Sequence, residues 1–205
     1  MLAEKLAGDL ARVQIMPTLV LALPRGGVCV AYEIALRLKL ALDIWLVRKV
    51  GVPGYEELAA GAIADGGVVI WNSDVLASTR LTPAELQPTI ERERAELERR
   101  RVAYCGNEEP PEVKEQSVIL VDDGLATGAS MLAAIESVKQ AGASSVWVAV
   151  PVAAPDTVAR LRTQVEGVTC LLLPENLRAI GLWYDDFTQT SDEEVVRLLA
   201  AAGRS

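Results

Sequence analysis

Residues 117–133, SVILVDDGLATGASMLA, decide the fold. A short apolar run, Val118, Ile119, Leu120 and Val121, leads into two adjacent carboxylates, Asp122 and Asp123. A loop of small residues follows, and then Met131, Leu132, Ile135 and Val138 recur at helical spacing. A β-branched run bounded by polar residues reads as a buried strand. The whole stretch is therefore strand, acidic pair, phosphate loop, helix. In an open parallel sheet, ligands sit beyond the carboxyl ends of the strands, where this acidic pair emerges. The loop feeds a helix N-terminus, whose free N–H groups and dipole favour an anion. Thr127 and Ser130 add hydroxyl donors, while the carboxylates suit sugar hydroxyls or indirect contact with a divalent cation. No lysine follows Gly128, so this is not a P-loop. Pattern alone leaves open a plain strand-to-helix turn capped by Asp123 or Ser130.

The segment VDDGLATGAS resembles the phosphoribosyl diphosphate motif of the type I phosphoribosyltransferases, with hydrophobic residues, two acids and a Thr-Gly loop. The resemblance implies that Asp122 and Asp123 hold ribose hydroxyls. It implies that Ala126, Thr127, Gly128, Ala129 and Ser130 hold the 5′-phosphate. It also implies an α/β fold, a parallel twisted sheet with flanking helices, as a single domain over residues 1–205. A hairpin and long-helix insertion is expected at about 58–111, and a C-terminal hood at about 174–190.

Working outward, residues 18–23 form an apolar run that ends in Pro24, Arg25, Gly26 and Gly27, with a helical pattern over 28–38. Paired glycines leave N–H groups exposed, and Arg25 suits phosphate oxygens. A simple strand-to-helix turn is the bland alternative. Beside the first motif, Arg25, Gly26 and Gly27 resemble the family's pyrophosphate loop. Residues 43–47 read as the next strand, giving way to Arg48 and Lys49. The resemblance makes this basic pair a contact for the pyrophosphate, where solvated charge is the plainer reading. Residues 51–57 carry glycines, a proline and acids, in a region where the family places a flexible lid.

Residues 58–64 and 68–71 flank Asp65-Gly66-Gly67 as a hairpin. Thr82, Pro83 and Glu85 read as the start of a long helix, with Leu86, Ile90 and Leu97 as a narrow apolar stripe. Its dense mixed charge reads as a solvated face, Glu96 and Arg100 making a favourable pair four residues apart. Together with the loop to Pro110-Pro111, it resembles an insertion or partner surface. Further strands are expected at 146–150 and 168–173, with helices at 130–140 and 154–164. Strands alternating with helices mean a parallel α/β sheet.

The tail over 174–190 concentrates Trp183, Tyr184 and Phe187 in a chain with only 4% aromatic residues. These rings, beside Asp185 and Asp186, either stack on a nucleobase or pack the tail onto the sheet. The resemblance to a purine-type hood makes Trp183, Tyr184 and Asp185 the base-binding candidates. Ser191 and Glu194 then open a final helix.

At 205 residues and 51% apolar composition the chain has room for a full core. A net charge of −8 argues against a broad nucleic-acid surface. The three cysteines, Cys29, Cys105 and Cys170, show no zinc or disulfide spacing, so reduced thiols and a cytoplasmic location are expected. The absence of histidine removes Ser-His and Cys-His nucleophiles. No signal peptide is expected, because Glu4 and Asp9 interrupt the opening apolar residues. No run approaches the ~18 apolar residues of a membrane span.

The resemblance covers roughly residues 18–71 and 115–190. It implies a glycosyltransferase of nucleotide metabolism that transfers ribosyl 5-phosphate from phosphoribosyl diphosphate to a nucleobase-like acceptor and releases pyrophosphate. Mg²⁺ would be bound mainly through the substrate, with no direct metal ligand, and a homodimer is the family expectation. The competing classes are a non-catalytic module that senses phosphoribosyl diphosphate, and a hydrolase with water as acceptor. One departure bears on the acceptor. In 6-oxopurine members an aspartate precedes the loop threonine. Here that residue is Ala126, as in adenine-type members. Yet only 17 residues precede the first core strand, too few for the adenine-type N-terminal hood. The chain most resembles a bacterial phosphoribosyltransferase-like group of undefined acceptor.

Overall fold

A computed structural model describes residues 1–106 and 109–203, apart from the side chains of Glu56 and Glu57. Residues 107–108 of the expected insertion, and 204–205, lie outside the described residues. In chain order the first elements are α1 (Leu2–Val13), β1 (Leu19–Ala22), α2 (Gly26–Leu38), β2 (Ala41–Ile44), β3 (Val47–Val52), β4 (Tyr55–Ala64) and β5 (Val69–Trp71). Then follow α3 (Ser73–Thr79), α4 (Gln87–Cys105), β6 (Ser117–Val121), α5 (Ala129–Gln140), β7 (Ser145–Val152), α6 (Pro155–Leu161), β8 (Gly167–Leu172) and α7 (Asp192–Ala201).

The larger sheet is parallel throughout, in the order β2-β1-β6-β7-β8. Its central strands are buried on both faces, which is why they read as unbroken apolar runs. Side chains alternate between two cores. Val20, Ala22, Ile119 and Val121 face the layer of α1, α2 and α7. Leu21, Leu23, Val118 and Leu120 face Met131, Ile135 and Val138 of α5, and Val158 and Leu161 of α6. The register matters most for function. Ala22 pairs with both Ile44 and Val121, so the chain leaves β1, β2 and β6 at one level. Leu23, Trp45 and Asp122 therefore emerge side by side.

The second sheet, β3-β4-β5, is antiparallel and corrects three expectations. The strand expected at 43–47 ends at Ile44, and Arg48 and Lys49 lie inside β3 rather than beyond a strand end. The chain turns at Trp45 because its backbone groups find partners outside the parallel sheet. Leu46 N donates to Asp65 Oδ2 at 2.6 Å, and Arg101 donates to the Ile44 carbonyl at 3.1 Å. The expected lid at 51–57 is the β3–β4 hairpin, with Val52 opposite Tyr55. Pro53 and Gly54 form its turn, Gly54 supplying the positive φ of 80°. Positions 56 and 57 of that lid lie outside the described side chains. The departure from the parallel sheet accordingly begins at Val47, before the hairpin expected at 58.

The long helix starts at Gln87, not at Thr82. The Thr82–Glu85 box does form, with Thr82 N donating to Glu85 Oε2 at 2.8 Å. It closes a turn instead, because Pro88 has no N–H to give the Ala84 carbonyl. The chain makes three-residue bonds from Glu85 to Thr82 and from Gln87 to Ala84, then restarts with Pro88 in the first helical turn. The short α3, capped by Asn72 accepting from Val75 N at 3.3 Å, had no counterpart in the sequence reading. Among the described residues no helix is long and apolar enough to cross a membrane.

Candidate active site

The acidic pair stands at the carboxyl end of β6, between two helix N-termini. On one side Gly128, with φ of 70°, leads into α5. On the other, Arg25 leads into α2, whose first residues are Gly26 and Gly27. Neither helix spends a side chain on capping its first turn, so N–H groups are left for an anion at each end. The arrangement is two positive helix ends flanking two carboxylates.

Both glycines of the Arg-Gly-Gly turn are required by packing. A Cβ on Gly26 would stand 1.9 Å from Asp123 Oδ2, and one on Gly27 would stand 2.7 Å from the Val121 carbonyl oxygen. The turn lies directly against the acidic pair. This contact lifts the weak tripeptide signal into part of one site. The Pro24–Arg25 peptide is cis. Arg25 Nη1 lies 3.4 Å from Asp192 Oδ1, which also accepts from the Tyr104 hydroxyl at 2.9 Å.

Asp122 Oδ1 accepts from Asp123 N at 2.9 Å. Burial, with the Asp123 charge adding to it, pushes the Asp122 carboxyl up to about 8. Burial also raises Asp123. Such groups gain from hydroxyl donors that bind the charged form. In the loop over 126–130, expected to hold the 5′-phosphate, Ala126, Thr127, Ala129 and Ser130 are exposed and Gly128 is buried. The loop's carbonyls are turned away into α6. Thr157 Oγ1 donates to the Ala126 carbonyl at 2.6 Å, and Arg160 donates to that of Thr127. Thr157 and Arg160, which sequence reasoning missed, thus tie the loop to α6.

The basic pair divides. Arg48 reaches α4, where Nε and Nη2 both donate to Glu93 Oε2 at 2.9 and 2.6 Å. Lys49 is exposed and lines a cavity of about 620 Å³ with Thr127, Ser130 and Arg160, between the second sheet and α5. A small cavity of about 100 Å³ lies centrally among Pro24, Arg48, Arg100, Asp122 and Ser130.

The tail closes the other flank. Tyr184 donates its hydroxyl to the Asp123 carbonyl at 2.5 Å, and its ring stands 5.0 Å from that of Phe187. Ile180 packs over Gly124, where a Cβ would meet its Cγ2 at 2.6 Å. A cleft of about 480 Å³ results, lined by Arg25, Gly26, Asp123, Tyr184, Asp186 and Phe187 among others. Of the three base-binding candidates only Tyr184 lines it, while Trp183 and Asp185 do not. The backbone from Ile180 to Trp183 makes a single 3-10 turn, which carries Trp183 past the cleft and brings Asp186 and Phe187 to it. Among the described residues no cluster of three His, Cys, Asp or Glu side chains is placed to enclose a metal ion.

The phosphoribosyl transferase domain family model matches residues 1–185. A Mycobacterium tuberculosis (strain H37Rv) protein, provisionally named a phosphoribosyl transferase, is 41% identical over 201 residues, covering 98% of this chain and 45% of that one. The chain therefore spans less than half the length of the curated relatives that match it along its length. A crystal structure of the protein TT1426 from Thermus thermophilus superposes with a TM-score of 0.84 at 42% identity, covering 98% of this chain and 93% of that one. A uracil phosphoribosyltransferase from Lacticaseibacillus paracasei is 47% identical over 49 residues, 24% of this chain and 23% of that protein.

Proposed function

Because the chain belongs to the phosphoribosyl transferase domain family, we propose that it transfers ribosyl 5-phosphate from phosphoribosyl diphosphate to a nucleobase-like acceptor, releasing diphosphate. The observation that carries this reading is the contact of Gly26 and Gly27 with the acidic pair. It gives one continuous site with an anion-binding helix end on each side of two carboxylates. A pentose with phosphate at one end and diphosphate at the other matches that charge order. The loop over 126–130 takes the 5′-phosphate, Asp122 and Asp123 accept from the ribose hydroxyls, and the Arg25–Gly27 turn takes the diphosphate.

The chemistry follows from the placement. Breaking the bond at the anomeric carbon builds positive charge on the sugar ring, as in glycoside hydrolysis. The carboxylates beneath stabilise that charge and fix the ring. Negative charge builds on the departing diphosphate, where Arg25, Arg48, Lys49 and the α2 N–H groups oppose it. Magnesium, carried in on the diphosphate oxygens, would supply further charge neutralisation there. Tyr184 and Phe187 offer flat faces for the acceptor in the neighbouring cleft.

The test is calorimetric titration with phosphoribosyl diphosphate and Mg²⁺, followed by a screen of bases for diphosphate release. Binding by the wild type, lost in the Asp122→Asn/Asp123→Asn double variant, with base-dependent release, supports transfer. Retained turnover in the double variant refutes the site. Release without any base makes water the acceptor.

A further inference from the structure

The charged helix α4 is not a free surface. Its Glu93, Arg101 and Tyr104 are buried against β3 and the core. One turn along, Arg100 lines the small cavity where Pro24, Arg48, Asp122 and Ser130 meet. Its Nε is held by Glu96 Oε1 at 2.9 Å. Arg48 is held in the same way by Glu93, and Arg25, next to the lining residue Pro24, by Asp192. Two guanidinium groups from separate segments, Arg48 and Arg100, thus line one opening, each oriented by a carboxylate, while Arg25 lines the tail-side cleft beside it. Asp192 bridges Arg25 to α4, since Tyr104 of α4 donates to the same Asp192 oxygen that faces Arg25.

We propose that Arg100 of α4 is a diphosphate-binding residue, joining Arg48 in the cavity, with Arg25 on the neighbouring turn, to take the departing diphosphate. The proposal rests on the transferase reading for the identity of the anion. Both Arg48 and Arg100 line the cavity, and the guanidinium fork matches phosphate oxygens two at a time. The cavity adjoins Asp122, so an anion seated there lies next to the sugar position. Glu96 keeps Arg100 in place by holding Nε, and the outer nitrogens stay available to the ligand. Glu96 also pairs with Arg99, whose side chain is exposed to solvent, so the two arginines differ in geometry and not in charge.

Calorimetry with inorganic diphosphate, phosphoribosyl diphosphate and ribose 5-phosphate, each with Mg²⁺, tests this on wild type, Arg100→Gln and Arg99→Gln. Arg100→Gln is expected to weaken both diphosphate ligands about tenfold, as for loss of one charged hydrogen-bonded contact. Ribose 5-phosphate, which has no diphosphate, should bind it as it binds wild type, and this also reports an intact fold. Arg99→Gln should change none of the three. Equal weakening of all three ligands by Arg100→Gln, or no weakening of any, overturns the proposal. Wild type that binds inorganic diphosphate but not phosphoribosyl diphosphate would remove the transferase reading and leave the arginine site standing. Wild type that binds neither refutes both.

Discussion

Removing Arg101 should damage the fold more than any other single charge on α4. Its side chain is 3% exposed and Asp65 is fully buried. Arg101 bonds Asp65, donates to the Ile44 carbonyl at 3.1 Å and lies 3.4 Å from Asp43. Asp65 in turn accepts from Leu46 N at 2.6 Å. The pair therefore pins the point where the chain leaves β2 for β3. Arg101→Met leaves a buried carboxylate without its cation, which costs about 3–5 kcal/mol. That is a large share of the ~5–15 kcal/mol of a whole domain. Asp65→Asn alone leaves the guanidinium buried and should cost a similar amount. The double variant Asp65→Asn/Arg101→Met removes both charges, while the amide still accepts from Leu46 N–H, so its cost should be about 2 kcal/mol, below either single change. The assay is urea unfolding of all four proteins, read as a double-mutant cycle with a coupling above ~2 kcal/mol. The pH dependence is a second readout. Burial already raises the Asp65 carboxyl, and loss of Arg101 raises it further. A carboxyl whose native pKa is raised binds its proton more tightly when folded, so stability falls as pH rises. Arg101→Met should thus recover stability on acidification from about pH 8 to about pH 5. Single-variant costs that simply add in the double variant would refute the reasoning.

Asp122 carries a related pH signature. Its native pKa of about 8 stands above the ordinary 3.8, so ligand-free stability should fall as pH rises between those values and level off above. Asp122→Asn removes that loss and is expected to raise the melting temperature more at about pH 9 than at about pH 5, by about 4 kcal/mol in stability, while abolishing turnover. A variant less stable than wild type at both pH values would contradict the burial argument. Gly26→Ala drives its methyl into the Asp123 carboxylate and should abolish phosphoribosyl diphosphate binding with only a small change in melting temperature. Unchanged affinity would show that the turn and the acidic pair do not act together. Tyr184→Phe deletes the bond to the Asp123 carbonyl, worth about 1 kcal/mol, and should raise KM for the acceptor more than for phosphoribosyl diphosphate.

The phosphate loop, the acidic pair and the Arg-Gly-Gly turn were legible because each is a contiguous segment whose chemistry is local. A strand end, a run of small residues and a helix start follow one another within 117–133, so spacing alone places donors and carboxylates together. The alternation of apolar runs and helical stripes likewise specified a parallel α/β sheet. Local pattern failed where a residue's partner lies far along the chain. Glu93 and Arg101 read as solvated charge, yet they pair with Arg48, 45 residues away, and Asp65, 36 residues away. Arg25 and Asp192 meet across 167 residues. Helix and strand periodicities report which face a side chain occupies, not what stands opposite it. Sequence by itself therefore determined the parallel sheet, the two loops that open α2 and α5, and the carboxylates between them. Only the tertiary structure decided that α4 packs against β3, which arginines gather beside the acidic pair, and that Tyr184, not Trp183, closes the cleft. Those outcomes depend on the packing of distant segments, where burial leaves a charge no partner but the one that the fold brings to it.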